Sequence, residues 1–180
     1  MGHHIEFDDN LSMEIMWPYK NLILDNINNS SLVISLNFNK RNILLPGDIE
    51  EEAEYAIYNG LKEYDILVVP HHGSKTSSSL QFVDSVKPLI AVLSYGRNFY
   101  GIPHEEVISR YENAGSNIFS TFENGEINII LKDGDLYYNT YTNKKSDNYY
   151  ELYLVGLINK FIIFCFLIIW MLKGEERYEL

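Results

Sequence analysis

Two adjacent histidines, His71 and His72, follow the apolar run "DILVVP" (65–70) and lead straight into Gly73 and Ser74. Asp48 closes an earlier apolar run, "ILLPGD", just after a glycine that permits a sharp turn. A carboxylate and an imidazole are a normal donor pairing for zinc, manganese or iron. The loop after the histidines adds hydroxyls at Ser74, Ser77, Ser78 and Ser79 and a positive charge at Lys75. Such a loop suits a phosphate oxygen. Each motif alone has an ordinary reading: "GD" as a turn, "HHGS" as a loop ahead of a capped helix. Their matched positions after successive strands favour a shared site. In a parallel α/β sheet, functional groups gather at the carboxyl ends of strands. A strand–helix–strand crossover brings two such ends side by side. Asp48 is therefore expected to meet His71 or His72. His71 ranks slightly ahead as the ligand because it directly follows the strand.

The elements that must hold these residues are legible from patterning. "IEFDDNLSMEIMW" (5–17) alternates around an Asp-Asp-Asn turn and predicts a hairpin. "SSLVISLNFNKRNILLPGD" predicts two strands, about 31–38 and 42–46. "IEEEAEYAIYNGLKEY" carries acids in its first turn and apolar residues at helical spacing, which predicts a helix. "DILVVP" and "LIAVLSY" read as buried strands. "SSLQFVDSV" and "HEEVISRYENAG" read as helices, the second closed by Gly115. "SNIFSTF", "GEINIIL" and "DLYYNTYT" read as strands. The β-β-α-β-α-β-α-β-β order predicts an α/β layer architecture. His3 and His4 read as an ordinary exposed pair at a strand start.

Bulk properties narrow the classes. The chain has 180 residues, enough for one domain with its own core. Its net charge of −11 repels phosphate backbones unless a cation or a local basic patch intervenes. Cys165 is the only cysteine, which rules out an intrachain disulfide and a cysteine-based zinc cluster. The first ten residues are polar and acidic, unlike a signal peptide.

Five stretches together resemble one family. "NNSSLVISL" (28–36), "ILLPGDIEEEAE" (43–54), "DILVVPHHGSKTSSS" (65–79), "LSYGRNFYGIPHEEVI" (93–108) and "FSTFENGEINIIL" (119–131) occur in this order. They look like the metallo-β-lactamase-fold domain of the ComEC competence (DNA-internalization) proteins, over residues 5–131. The resemblance implies a bacterial membrane protein of DNA uptake whose domain binds divalent metal, zinc or manganese, and hydrolyses the strand that is not imported. It makes Asp48 the bridging ligand and at least one of His71 and His72 a ligand. Asp48 and His72 become the catalytic candidates, and Ser74, Lys75, Asn98, Tyr100 and His104 the loop residues facing substrate. The departures are equally specific. No HxHxDH string is present, and Ile102 stands where the family's "GHP" loop has histidine. His104 is a partial substitute or an exposed residue of a helix start, and the second reading is preferred.

The fold implied is thus α/β: a partial metallo-β-lactamase-like αββα sandwich, its C-terminal half, with a hydrophobic helix at the end. The expected partners are a missing half or membrane domain bearing HxHxDH, DNA through the assembled protein, and the membrane. The expected activity is a metal-dependent phosphodiester hydrolase, incomplete and weak or inactive alone. The competing readings are a non-catalytic membrane-associated remnant or interaction module, and another metallo-hydrolase of the same fold. An adjacent reading frame encoding transmembrane helices that end in HxHxDH would favour a split protein over a remnant.

The organisation expected is a domain over 1–142, a polar linker over 143–151, a hydrophobic helix over 152–172 and a polar tail over 173–180. "LYLVGLINKFIIFCFLIIWML" ends in 12 unbroken apolar residues. Twenty helical residues span about 30 Å, a bilayer core. Asn159 and Lys160 interrupt it, and a central charge costs about 2.5–3.5 kcal/mol. Membrane insertion is preferred over packing against protein, and the placement is a bacterial cell membrane. Fractionation should therefore place the full chain with membranes, and deletion of 152–180 should release the remainder. A full chain that stays soluble and monomeric without detergent would rule the anchor out.

Overall fold

The computed structural model describes residues 3–19, 25–132 and 134–141; the linker and apolar segment expected at 143–172 lie outside them. Two hairpins begin the chain. β1 (His3–Asp8) and β2 (Leu11–Trp17) form the first, as the alternation predicted, with His3 and His4 exposed at its start. β3 (Val33–Phe38) and β4 (Arg41–Leu45) form the second, joined by Asn39 and Lys40, both at positive φ. That is the two-residue turn whose twist matches paired strands.

From β4 onward the strands run parallel. β5 (Ile66–Val68), β6 (Ile90–Leu93) and β7 (Asn117–Ser120) follow in sequence, separated by helices α1 (Glu51–Ile57), α2 (Leu80–Val86) and α3 (Glu105–Asn113). The result is one seven-stranded sheet in the order β1-β2-β3-β4-β5-β6-β7, antiparallel over the first four strands and parallel over the last four. The three helices pack on one face of the sheet. Alternate strand residues Val33, Leu44, Leu67, Ala91 and Leu93 meet Ala53, Ile57, Phe82, Val83, Val107 and Tyr111 there to form the main core. The opposite residues Met13, Ile34, Ile66 and Ile90 are also buried but belong to the other face.

After β7, a single helical turn α4 (Thr121–Asn124) leads to β8 (Glu126–Lys132) and β9 (Asp135–Tyr141), a separate hairpin. It reaches the large sheet through Tyr138, 4.8 Å from Phe119 between ring centroids, and through Gly134, whose carbonyl accepts from Arg41 Nε at 2.9 Å. The fold is therefore mixed α/β around one large mixed sheet. The sandwich architecture implied by the resemblance goes beyond what this single sheet with its added hairpin establishes. No helix of the described residues is long and apolar enough to cross a membrane.

Two boundaries differ from expectation. The helix predicted over 49–64 stops at Ile57 and tightens into a 3₁₀ turn over Tyr58–Gly60. Asn59 and Gly60 are poor helix formers, and Leu61 is already extended. The strand predicted over 116–122 ends at Ser120 and gives way to α4, because Ser120 caps that turn by accepting from the Glu123 N–H.

Gly73 shows how closely the sheet's carboxyl edge is packed. Its φ is +81°, and a Cβ there would lie 2.8 Å from Pro103 Cβ and 2.9 Å from Leu93 Cδ2. Gly73→Ala should cost about 1–3 kcal/mol through backbone strain and overpacking. An unchanged urea midpoint would contradict this fit.

Candidate functional site

Three turns at the carboxyl ends of β4, β5 and β6 build the site. The first is Pro46–Asp48. Gly47 at φ +63° bends the chain after β4, and a Cβ on it would lie 2.8 Å from Ser31 Cβ. The Ser31 hydroxyl accepts from the Asp48 N–H at 3.1 Å. The second is Pro70–Gly73, in which His71 and His72 have φ of +48° and +56°. Two consecutive non-glycine residues in the left-handed region are costly and persist only where surroundings enforce them. The His71 N–H donates to Gly47 O at 3.1 Å and so joins the two turns. The third is the loop after β6, which meets the second turn where the His104 N–H donates to Gly73 O at 2.8 Å.

This geometry pairs the titratable side chains. His72 Nε2 lies 3.6 Å from Asp48 Oδ1, with both side chains about half exposed. His72 Nδ1 lies 2.6 Å from Ser94 O. A carbonyl can only accept, so Nδ1 carries the proton, and in the neutral ring the Nε2 lone pair faces Asp48. This is the arrangement by which a second hydrogen bond fixes the tautomer of a metal-binding histidine. Two donors at about 2.1 Å from one tetrahedral cation stand about 3.4 Å apart. The Asp48–His72 spacing fits that value.

His71 turns elsewhere. Its buried Nδ1 approaches Glu50 Oε1 at 3.3 Å without hydrogen-bond alignment. Glu50 accepts from Asn26 Nδ2 at 2.7 Å and from Asn28 Nδ2 at 3.0 Å. Partial burial pushes the Glu50 carboxyl upward. The hydrogen bonds from Asn28, Asn26 and Thr76, with the His71 charge, outweigh it and hold the group below the ordinary value. The two histidines thus address separate carboxylates, and His72 rather than the higher-ranked His71 faces Asp48. Among the described residues, no group of three or more His, Cys, Asp or Glu side chains gathers closely enough to hold a metal ion. The pair fits two positions of a metal site.

The remaining candidates divide by role. Ser74 Oγ is 3.0 Å from Thr76 Oγ1. Ser77 and Ser78 are buried, and the Ser77 hydroxyl donates to Pro70 O at 2.9 Å, so these hydroxyls brace the loop from within. Lys75 is exposed and lines a separate cavity of about 350 Å³ with Tyr55, Tyr58, Leu80 and Gln81. Asn98 organises its own loop: Nδ2 donates to Gly96 O and Ile102 O, and Oδ1 accepts from the N–H groups of Tyr100 and Ile102. Tyr100 projects into solvent. His104 stands just before α3 as a half-buried residue rather than an exposed one; its side chain makes no capping bond, and its buried Nδ1 has no hydrogen-bond partner.

Sequence patterning missed Glu54, which holds the histidine loop in place. It is 1% exposed. Its Oε1 accepts from the Ser78 N–H and its Oε2 from the Ser79 N–H, the latter at 2.9 Å. Arg110 Nη1 donates to Ser78 O at 2.8 Å, and the Tyr111 hydroxyl donates to Ser78 Oγ at 2.9 Å. The available signal was a charged residue at a helix position flanked by the apolar Ala53 and Ile57.

No family model matches the chain. It is 34% identical over 120 residues, 66% of its length, to "Recombination protein 2" of Haemophilus influenzae. It is 34% identical over 109 residues, 59% of its length, to "ComE operon protein 3" of Bacillus subtilis. It is 32% identical over 130 residues, 70% of its length, to "Competence protein ComA" of Neisseria gonorrhoeae. The matches span only 15%, 14% and 19% of those relatives.

Replacing Glu54 by leucine strands two backbone donors, at about 1–3 kcal/mol each. Burial raises the Glu54 carboxyl above its ordinary value of 4.5, against the opposing hydrogen bonds from Ser79 and Ser78. The folded chain therefore binds this proton more tightly than the unfolded chain. The group's contribution is full below pH 4.5 and declines as pH rises through the raised folded value. Urea titrations should show the margin of wild type over Glu54→Leu narrowing with rising pH. A margin that widens would overturn the assignment.

Proposed function

By its relatives the chain belongs to the ComEC/Rec2 competence family, and from that premise we propose that it contributes to DNA uptake as part of a metal-dependent phosphodiester hydrolase. Asp48 and His72 supply two ligands for a divalent cation, zinc or manganese. The observation that carries this reading is the 3.6 Å approach of His72 Nε2 to Asp48 Oδ1 while Ser94 holds the Nδ1 proton. When bound, the cation supplies Lewis-acid chemistry toward a phosphodiester and a nucleophile at neutral pH. The chain's own residues hold and orient: Ser94 fixes the His72 tautomer, Ser31 and Gly47 set Asp48, and Gly73 lets the β6 loop close on the histidines.

The remaining ligands come from outside the described residues, in the HxHxDH-bearing half. The isolated chain is then an incomplete enzyme with weak or no cleavage. The substrate is DNA, reached through the assembled protein at a bacterial membrane. A non-catalytic interaction module is the second reading, favoured by the two-donor count.

Calorimetric titration with zinc or manganese should show binding that weakens at least tenfold in Asp48→Ala and in His72→Ala, the order of loss typical of disrupted metal sites. Equal affinity in wild type and both variants would remove the metal reading. Cleavage of a DNA duplex by the isolated chain should stay near background. Robust metal-dependent cleavage, lost in Asp48→Ala, would show that the site is complete without the other half.

A further inference from the structure

The loop after β6 carries two adjacent aromatic residues that pack against nothing. Phe99 is fully exposed, and Tyr100 is 87% exposed. Their exposure is not the result of a slack loop. Asn98 closes four hydrogen bonds between its own amide and the backbone of Gly96, Tyr100 and Ile102. Tyr95 is tied through both its N–H and its carbonyl to Thr121 Oγ1, at 2.9 and 2.7 Å. Ser94 O meets His72, and His104 N–H meets Gly73 O. The loop is anchored at both ends to the turn that carries His72, and its middle holds two rings out to water.

The loop carries a cation of its own. The chain as a whole carries −11. Lys75 lines a separate cavity and Lys87 pairs with Glu63 at 3.5 Å, so the cation of this loop is Arg97. Arg97 lies two residues before Phe99. Its charge gives a phosphate a point of attraction on an otherwise acidic chain.

We infer that Phe99 and Tyr100 stack on the bases of an unpaired nucleic-acid strand and that Arg97 meets its backbone, leading the strand to the Asp48–His72 pair. The inference rests on the phosphodiester reading of that pair and names the form of its substrate. Bases in a duplex hide their faces in the helical stack, whereas an unpaired strand offers every face, which is why exposed aromatic rings select single strands with little regard to sequence. A protein partner would need only apolar area at these positions, and a leucine would provide it. A base needs the ring.

The full chain, titrated at low salt with fluorescein-labelled short oligothymidylate and read by anisotropy, tests this. Phe99→Leu with Tyr100→Leu should weaken binding roughly tenfold or more, in line with the loss of stacking on one or two rings. Unlabelled duplex should compete poorly, and zinc affinity should stay at the wild-type value. Oligothymidylate affinity that survives the double leucine change, or equal competition by duplex, would overturn the inference. So would a wild-type chain that captures zinc through Asp48 and His72 but does not hold the oligothymidylate, and that result would leave the metal reading standing. Conversely, ring-dependent strand binding without zinc capture would sink the metal reading alone.

Discussion

The site depends on a buried carboxylate. Glu54, on α1, accepts the backbone N–H groups of Ser78 and Ser79 and so fastens the loop between β5 and α2 to the neighbouring helix. Burying a charge is unfavourable unless hydrogen bonds take the place of water. Here two backbone donors offset part of that cost, since burial still leaves the carboxyl raised above its ordinary value. From that anchor the constraint passes along the loop. Arg110 and Tyr111 grip Ser78 from α3, and Ser77 reaches back to Pro70. The two left-handed histidines are held between Pro70 and Ser74, where an unanchored chain would relax. The strain at His71 and His72 is thus supported by contacts from α1 and α3.

The consequence is a division between two imidazoles adjacent in sequence. His71 faces Glu50 and its asparagine partners, a network that also fixes the start of α1. His72 faces Asp48, with its other nitrogen occupied by a carbonyl. In the second arrangement a hydrogen bond at Nδ1 fixes which nitrogen lies beside the carboxylate. The net charge of −11 and the exposed Arg97 beside Phe99 add a second asymmetry. The acidic chain repels phosphates in general, and Arg97 offsets that repulsion at the Phe99–Tyr100 loop.

Much of the fold was legible because strands and helices write their periods locally. The alternation in 5–17 and the apolar runs at 65–70 and 89–95 needed no tertiary information. The meeting of Asp48 with the histidines was legible too, because a crossover between adjacent parallel strands leaves few other placements. The order of the two histidines was not. It turns on both residues adopting positive φ, which neither residue type announces. Glu54 was illegible for a related reason: its partners are two backbone N–H groups in a distant loop, and backbone donors leave no trace in sequence. Glu50 was read only as a helix-dipole charge, though its asparagine partners come from the segment before β3. The sandwich expectation came from resemblance alone, and the single seven-stranded sheet is as far as the geometry carries it.

The central claim is that His72 is held as the Nδ1–H tautomer with Nε2 free beside Asp48. Nitrogen-15 chemical shifts of the histidine rings, correlated through long-range couplings to the ring protons, report this directly. The neutral His72 ring should show a protonated Nδ1 and an unprotonated Nε2, and zinc should shift Nε2 while leaving Nδ1 protonated. A His72 ring in the opposite tautomer, or one whose Nε2 signal ignores zinc, would contradict the claim.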